Sequence, residues 1–147
     1  MEETKQTLML CVKDFSVSPG PRYANQGNND SGEDFYHSIL NAKFYEAIKT
    51  NKVLVVDLDG VDGYMSSFLD EAFGNLVYDF GLDNIREYLD IVSKEEPEWI
   101  EMIQNDTFSD WSNRRNKQDR PKTTVEHKDW YFFDGEDYST RNSSKKD

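Results

Sequence analysis

The chain has 147 residues, 36% hydrophobic and 14% aromatic, enough for one core and too apolar for a disordered segment. Its formal charge of −12 argues against binding a nucleic-acid backbone, which needs a basic face. One cysteine, Cys11, excludes an intramolecular disulfide and a cysteine metal cluster, and no apolar run approaches the ~20 residues that span a bilayer. The charge is uneven: residues 1–105 hold 8 Lys+Arg against 20 Asp+Glu, whereas Asp106 onward holds 9 against 9. Such an acidic body suits a basic protein partner, or simply solubility. The opening MEETKQT is polar, unlike a secretory signal, so a soluble cytoplasmic protein is expected.

Leu8 to Phe15 alternates loosely and reads as a first strand, with Cys11 as a small core residue. The run from Ser16 to Pro21 is a turn signal, and Arg22 to Asp30 reads as a loop or the return arm of a hairpin. Ser31 then caps a helix, with Asp34 three residues on. Phe35, Tyr36, Ile39, Leu40, Phe44, Ala47 and Ile48 form its apolar stripe, and Thr50-Asn51 ends it. Val53 to Val56 is too short for a helix and suits a buried strand. A polar turn follows from Asp57 to Tyr64, where Gly60 and Gly63 permit sharp bends.

From Ser66 and Ser67 a second helix is predicted, apolar at Phe68, Leu69, Ala72, Phe73, Leu76, Val77 and Phe80, with Gly81 as its stop. Ile85 to Val92 is expected to be a strand, and Glu95 to Gln104 a short helix with Pro97 in its first turn. After Asp106 the sequence is polar but carries seven aromatics among Phe108, Trp111, Trp130, Tyr131, Phe132, Phe133 and Tyr138. Thr124 to Phe133 reads either as one more strand on the body or as a segment that orders on a partner; residues 142–147 read as frayed. The organisation predicted is an α/β domain over residues 1–105, with a mixed sheet of about four strands, and a C-terminal extension over 106–147.

Several side chains carry candidate chemistry. Asp57-x-Asp59-Gly60, directly after a strand, resembles the first motif of haloacid-dehalogenase-type phosphotransferases. That resemblance implies Asp57 as nucleophile, Asp59 as acid/base, Asp62 as a metal neighbour and magnesium as cofactor. The later lysine and the downstream carboxylate pair of such enzymes have no convincing counterpart here. Gly and Asp also favour such turns on conformational grounds alone. Ser66 and Ser67 can cap the helix, Ser67 pairing with Asp70, or can serve as phosphoacceptors, although Asp70 and Glu71 would oppose a phosphate. Arg22 faces Ser31, Gly32 and Glu33 across a polar loop, either holding an anion or pairing with Glu33 or Asp34. His37 and His127 are isolated in sequence, which makes a metal site improbable and leaves His37 as a helix-surface residue.

Three stretches together resemble a STAS-like family of unknown function, related to the STAS domains of anti-sigma-factor antagonists. They are Pro19 to Tyr23, Gly27 to Phe35, and Gly63 to Gly74 with its SSFLDEAFG core. The resemblance covers roughly residues 8–95. It implies a partner-switching module whose turn serine can be phosphorylated, and a histidine-kinase-like ATP-binding protein as partner. Two positions depart from the antagonists: Met65 stands where they carry aspartate, and Phe68 where they carry glycine. The predicted function is therefore a non-enzymatic, regulatory interaction module that needs no cofactor or metal. Its surface would comprise Asp57, Asp59, Asp62, Ser66, Ser67, Asp70, Glu71, Arg22, Ser31 and Glu33. The alternatives are the magnesium-dependent phosphotransferase and an acidic phage- or defence-type inhibitor that occupies a basic partner.

Overall fold

Asn51, in the left-handed region at φ 54°, turns the chain into the central strand β2 (Val53–Asp57). The computed structural model describes residues 5–142, and the reading of residues 143–147 as frayed lies outside that range. Strand β2 lies between β1 (Thr7–Cys11) and β3 (Leu89–Val92), both parallel to it. Leu10 aligns with Val56 and Val56 with Ile91, so one face of the sheet is a continuous buried apolar layer. Parallel neighbours require long crossovers, and helices supply both of them.

The first crossover begins at once. Val12 and Phe15 both face inward three residues apart, a helical spacing, so the expected strand stops at Cys11 and a helical turn, α1 (Val12–Phe15), replaces its end. The Phe15 ring packs 5.2 Å from Phe35. After the loop, Ser31 caps α2 (Gly32–Phe35) as predicted: the Asp34 N–H donates to Ser31 Oγ at 2.9 Å, and the Ser31 N–H to Asp34 Oδ2 at 3.2 Å. A π-helical turn, Tyr36–Leu40, joins it to α3 (Asn41–Lys49). That wide turn brings residues five apart together, and Asn41 Nδ2 donates to the Tyr36 hydroxyl at 2.9 Å.

The second crossover holds α4 (Ser66–Phe80), whose residues from Phe68 to Phe80 are all buried except Asp70. A helix covered on every side is a core element rather than a surface one. Gly81, at φ 83°, ends it as predicted. The expected strand over Ile85–Val92 needs correction: its first half is helix α5 (Leu82–Tyr88), and only Leu89 onward is β3. Gly81 re-aims the chain, Asn84 Nδ2 donates back to the Phe80 carbonyl at 2.9 Å, and Ile85 enters the core from this new helix.

The short helix expected to end at Gln104 instead continues. It comprises α6 (Glu98–Met102), a π-helical turn Ile103–Thr107, and α7 (Phe108–Asn116). The boundary expected at 105/106 falls inside this run, which packs along α4 and buries Ile103 and Trp111. The predicted four-stranded mixed sheet is likewise three parallel strands. A separate antiparallel pair, β4 (Trp130–Phe133) and β5 (Tyr138–Arg141), completes the fold. Strand β4 packs on α3 and α4, so the late aromatics cover the chain's own body. Among the described residues, no helix is long and apolar enough to cross a membrane.

Helix α7 packs tightly on α4 at Gly74, where an added Cβ would lie 2.1 Å from the Trp111 ring. Both partners are fixed inside helices, so Gly74→Ala is expected to cost about 1–3 kcal/mol of stability, as other overpacked cores do. Urea unfolding followed by tryptophan fluorescence measures it; an unchanged midpoint would mean the helices separate freely.

Candidate functional site

The turn after β2 is stitched down by its own acids. Asp57 Oδ1 accepts the Asp59 N–H at 2.9 Å. The two oxygens of Asp59 accept the N–H groups of Glu95 (2.9 Å) and Lys94 (3.0 Å), and these bonds hold its carboxyl below the usual range. The Gly60 N–H, at φ 88°, donates to Glu95 Oε1 at 2.8 Å, and the Tyr64 hydroxyl donates to the Leu58 carbonyl at 2.7 Å. Asp62 accepts the Ser18 hydroxyl at 2.5 Å. Each carboxylate named for the phosphotransferase alternative is thus a ligand of the turn itself. Among the described residues, no group of three or more His, Cys, Asp or Glu side chains is placed to hold a metal ion.

The turn delivers the chain into α4 with Met65 as the residue before the first helical turn, and no side chain caps it. The expected capping pair of Ser67 with Asp70 is therefore not formed, because both serines already lie inside the helix. Met65 is 53% exposed, Ser66 is exposed and Ser67 half-buried. Asp70 turns instead to Arg22 Nη1 (2.9 Å), Thr107 Oγ1 (3.0 Å) and Trp111 Nε1 (3.2 Å).

Arg22 also needs correction: it pairs not with Glu33 or Asp34 but with Asp70 and, at 3.1 Å, with the buried Glu71. Burial raises the pKa of Glu71, and the bonds from Asn75 and Arg22 oppose that rise. The Arg22 loop also seats α2 on α4: a Cβ on Gly32 would lie 2.5 Å from the Phe68 carbonyl oxygen. The structure thus brings Arg22, Asp70 and Glu71 together at the start of α4, with the Glu71 carboxylate buried beneath the Arg22 guanidinium.

Ser31 and Glu33 serve other ends, Ser31 as the α2 cap and Glu33 as a fully buried acceptor. Glu33 takes the N–H groups of Ala24 (3.0 Å) and Thr124 (2.9 Å), the Thr124 hydroxyl (2.6 Å) and His127 Nε2 (2.6 Å). Burial alone would raise its pKa, but the bonds from His127, Thr124 and the backbone outweigh it and hold the carboxyl at about 2. His37 is not a helix-surface residue either. Its ring stacks on His127 with centroids 4.0 Å apart and meets Trp130 edge-on at 4.3 Å. Its buried Nδ1 has no hydrogen-bond partner, and burial, followed by His127, lowers its pKa to about 3. A second buried acid, Asp79, accepts the Tyr36 hydroxyl and faces Arg141 at 3.4 Å; burial raises its pKa to about 6 against that cation. Thr107, Trp111, Thr124, His127 and Arg141 were not among the predicted site residues. The one signal for them was the number of acids in helices with no cation within a turn.

A parallel three-stranded sheet under a helical layer, with a strand-to-helix turn at the surface, makes this a small α/β domain. Residues 31–99 match the model of a family described as a STAS-like domain of unknown function. The match begins at the α2 cap and ends within α6; β1, the Arg22 loop, α7 and the β4–β5 pair lie outside it. No curated protein and no solved structure matches the chain.

Two measurements probe these networks. His37 is neutral in the folded protein down to about pH 3, whereas the unfolded side chain takes up a proton near its ordinary 6.5. Below 6.5 the unfolded state binds more protons, so stability falls as pH drops towards 3. Asp79 works in the opposite sense, its contribution being complete at low pH and lost as pH rises through about 6. His37→Gln should therefore lose less thermal stability than wild type between pH 7 and 5, with Asp79 common to both; equal losses would place His37 outside this balance. Arg22→Met leaves Glu71 buried without its cation. Because Arg22 is 28% exposed, the expected cost is about 2 kcal/mol, less than for a fully buried pair. Adding Glu71→Gln should recover most of it in urea unfolding.

Proposed function

We propose that this protein is a non-enzymatic interaction module of STAS-like type, acting in the cytoplasm as a regulatory or adaptor component. Its docking surface is the Asp57–Ser67 turn, the first turn of α4 and the neighbouring Arg22–Glu33 loop. The observation that carries this reading is the uncapped start of α4, which leaves Met65 and Ser66 at the surface above a turn held rigid by its own acids. A preorganised turn loses little conformational entropy on docking, which favours contact over chemistry. The partner is an ATP-binding protein of histidine-kinase-like type, the class implied by the resemblance. Ser66 and Ser67 are contact residues first. Ser66, being exposed, is the better phosphoacceptor, while Ser67 precedes Phe68, whose ring stacks 5.7 Å from Phe35.

The test is capture from native lysate with and without Mg-ATP, reading retained proteins and the intact mass of the bait together. The expected result is a histidine-kinase-like ATPase retained by wild type and lost with Met65→Ala, which removes the exposed apolar contact without adding a cap to α4 and so leaves thermal stability within about 0.5 kcal/mol. A gain of about 80 Da (one phosphate) mapped to Ser66 would make the module a switch; binding without mass change would make it an adaptor. Retention unaffected by Met65→Ala, or no such ATPase retained under either condition, would overturn the proposal.

A further inference from the structure

Three guanidinium groups line one cleft of an otherwise acidic protein. The cleft has a volume of about 570 Å³ and is walled by Arg115 of α7, Arg120 of the following segment and Arg141 of β5, with Tyr78, Phe132 and Phe133. Among the described residues that line it, the only acid is the exposed Asp134, whose Oδ1 already accepts the N–H groups of Glu136 and Asp137. Asp79 lies behind the wall, where it faces Arg141.

The arginines are positioned rather than loose. Arg115 donates to the Tyr78 carbonyl and, at 2.8 Å, to the Phe133 carbonyl, fixing its plane without cancelling its charge. Arg120 reaches the Asn142 carbonyl at 3.3 Å. The Arg141 guanidinium lies 3.9 Å from the Phe132 ring centroid and 5.8 Å from that of Tyr78, so its orientation is set by aromatic packing. Burial acts against the charge on Arg115, Asp79 offsets part of that cost, and repulsion from Arg141 adds to it, so a bound anion would favour the charged form.

We propose that this cleft binds a phosphorylated small molecule, with its phosphate held by Arg115, Arg120 and Arg141. Guanidinium groups match phosphate oxygens with paired donors, and the side chains come from three separate elements. A phosphate offers three acceptor oxygens and up to two charges, more than a carboxylate can present to three cations. The volume falls within the range of small-molecule sites, larger than a bare ion needs, and the aromatic wall suits the rest of such a ligand. In a chain of net charge −12, a local cluster of this sign selects anions only where it can touch them.

Calorimetric titration of the full chain with inorganic phosphate, a hexose phosphate and ADP tests the site, with malonate as the carboxylate control. Saturable binding is expected for at least one phosphate probe, weakened about tenfold or more by Arg120→Gln as a lost charge-assisted bond requires. Preference among the three probes separates a free-anion site from a sugar-phosphate or nucleotide site. If the variant does not fold, a second readout uses wild type: the bound phosphate probe should slow phenylglyoxal modification at Arg115, Arg120 and Arg141, mapped by mass spectrometry. No saturable binding by any phosphate probe, equal binding of malonate, or unchanged affinity and modification would overturn the proposal.

Discussion

Buried carboxylates in the acidic body set the terms for the rest of this fold. Glu33, Glu71 and Asp79 are almost wholly removed from water, and Asp70 is largely so. An ionised carboxylate left unmet in a protein interior costs several kcal/mol, so each must find donors or take up a proton. Glu33 finds four donors, and three of them come from Thr124 and His127. Asp70 draws on Thr107 and Trp111 as well as Arg22, and Asp79 on Arg141. The charge-balanced second part of the chain thus acts as a counter-layer to the acidic first part. Its aromatics supply apolar cover, and its polar groups answer acids that residues 1–105 leave without enough donors.

This division explains which features could be read from the sequence. Where short-range chemistry decides, the reading holds: Ser31 capping α2, the apolar run of β2, the inward face of α4, and Gly81 ending that helix all depend on neighbours a few residues away. Ile85–Val92 misleads because Ile85 and Leu89, four residues apart, fit both periods, and the choice is made by Gly81 re-aiming the chain into α5. The two π-helical turns are also unreadable locally. Each exists to turn distant groups inward: Tyr36 and Asn41 towards one network, Ile103 and Thr107 towards another.

The same distinction runs through the site. Arg22, Asp70 and Glu71 were all named as candidates, but the nearby Glu33 was the expected partner of Arg22, and it is claimed instead by a histidine 94 residues on. Sequence proximity favoured a contact that does not form, since Ala24, Thr124 and His127 occupy the Glu33 oxygens and Asp70 and Glu71 take the Arg22 guanidinium. Ser67 and Asp70 have the spacing of a capping pair, yet the backbone places Met65 one step ahead of the helix and frees Asp70 for longer-range bonds. Asp57 and Asp59 have the spacing of a catalytic pair, yet the N–H groups of Asp59, Lys94 and Glu95 occupy them. A pattern of residue types states what chemistry is possible; which donors arrive first decides what it does.

Helix α4 joins the two surfaces proposed to bind, the turn before its start and the arginine cleft near its end. Met65 stands before its first turn and Tyr78 near its last, a separation of about 20 Å at 1.5 Å per residue. A helix buried along its length cannot slide or tilt without disturbing the sheet, α7 and the counter-layer together, so it transmits little between its ends. The arginine cleft is closed on one side by β5, which carries Arg141, and this hairpin touches the body through side chains rather than through the parallel sheet. An anion held there would therefore tighten the hairpin against Tyr78 and Asp79 while leaving the turn before α4 as it is. Partner docking at one end and anion binding at the other then behave as separate functions sharing one rigid support. Coupling between them would require the hairpin itself to form part of the partner's surface.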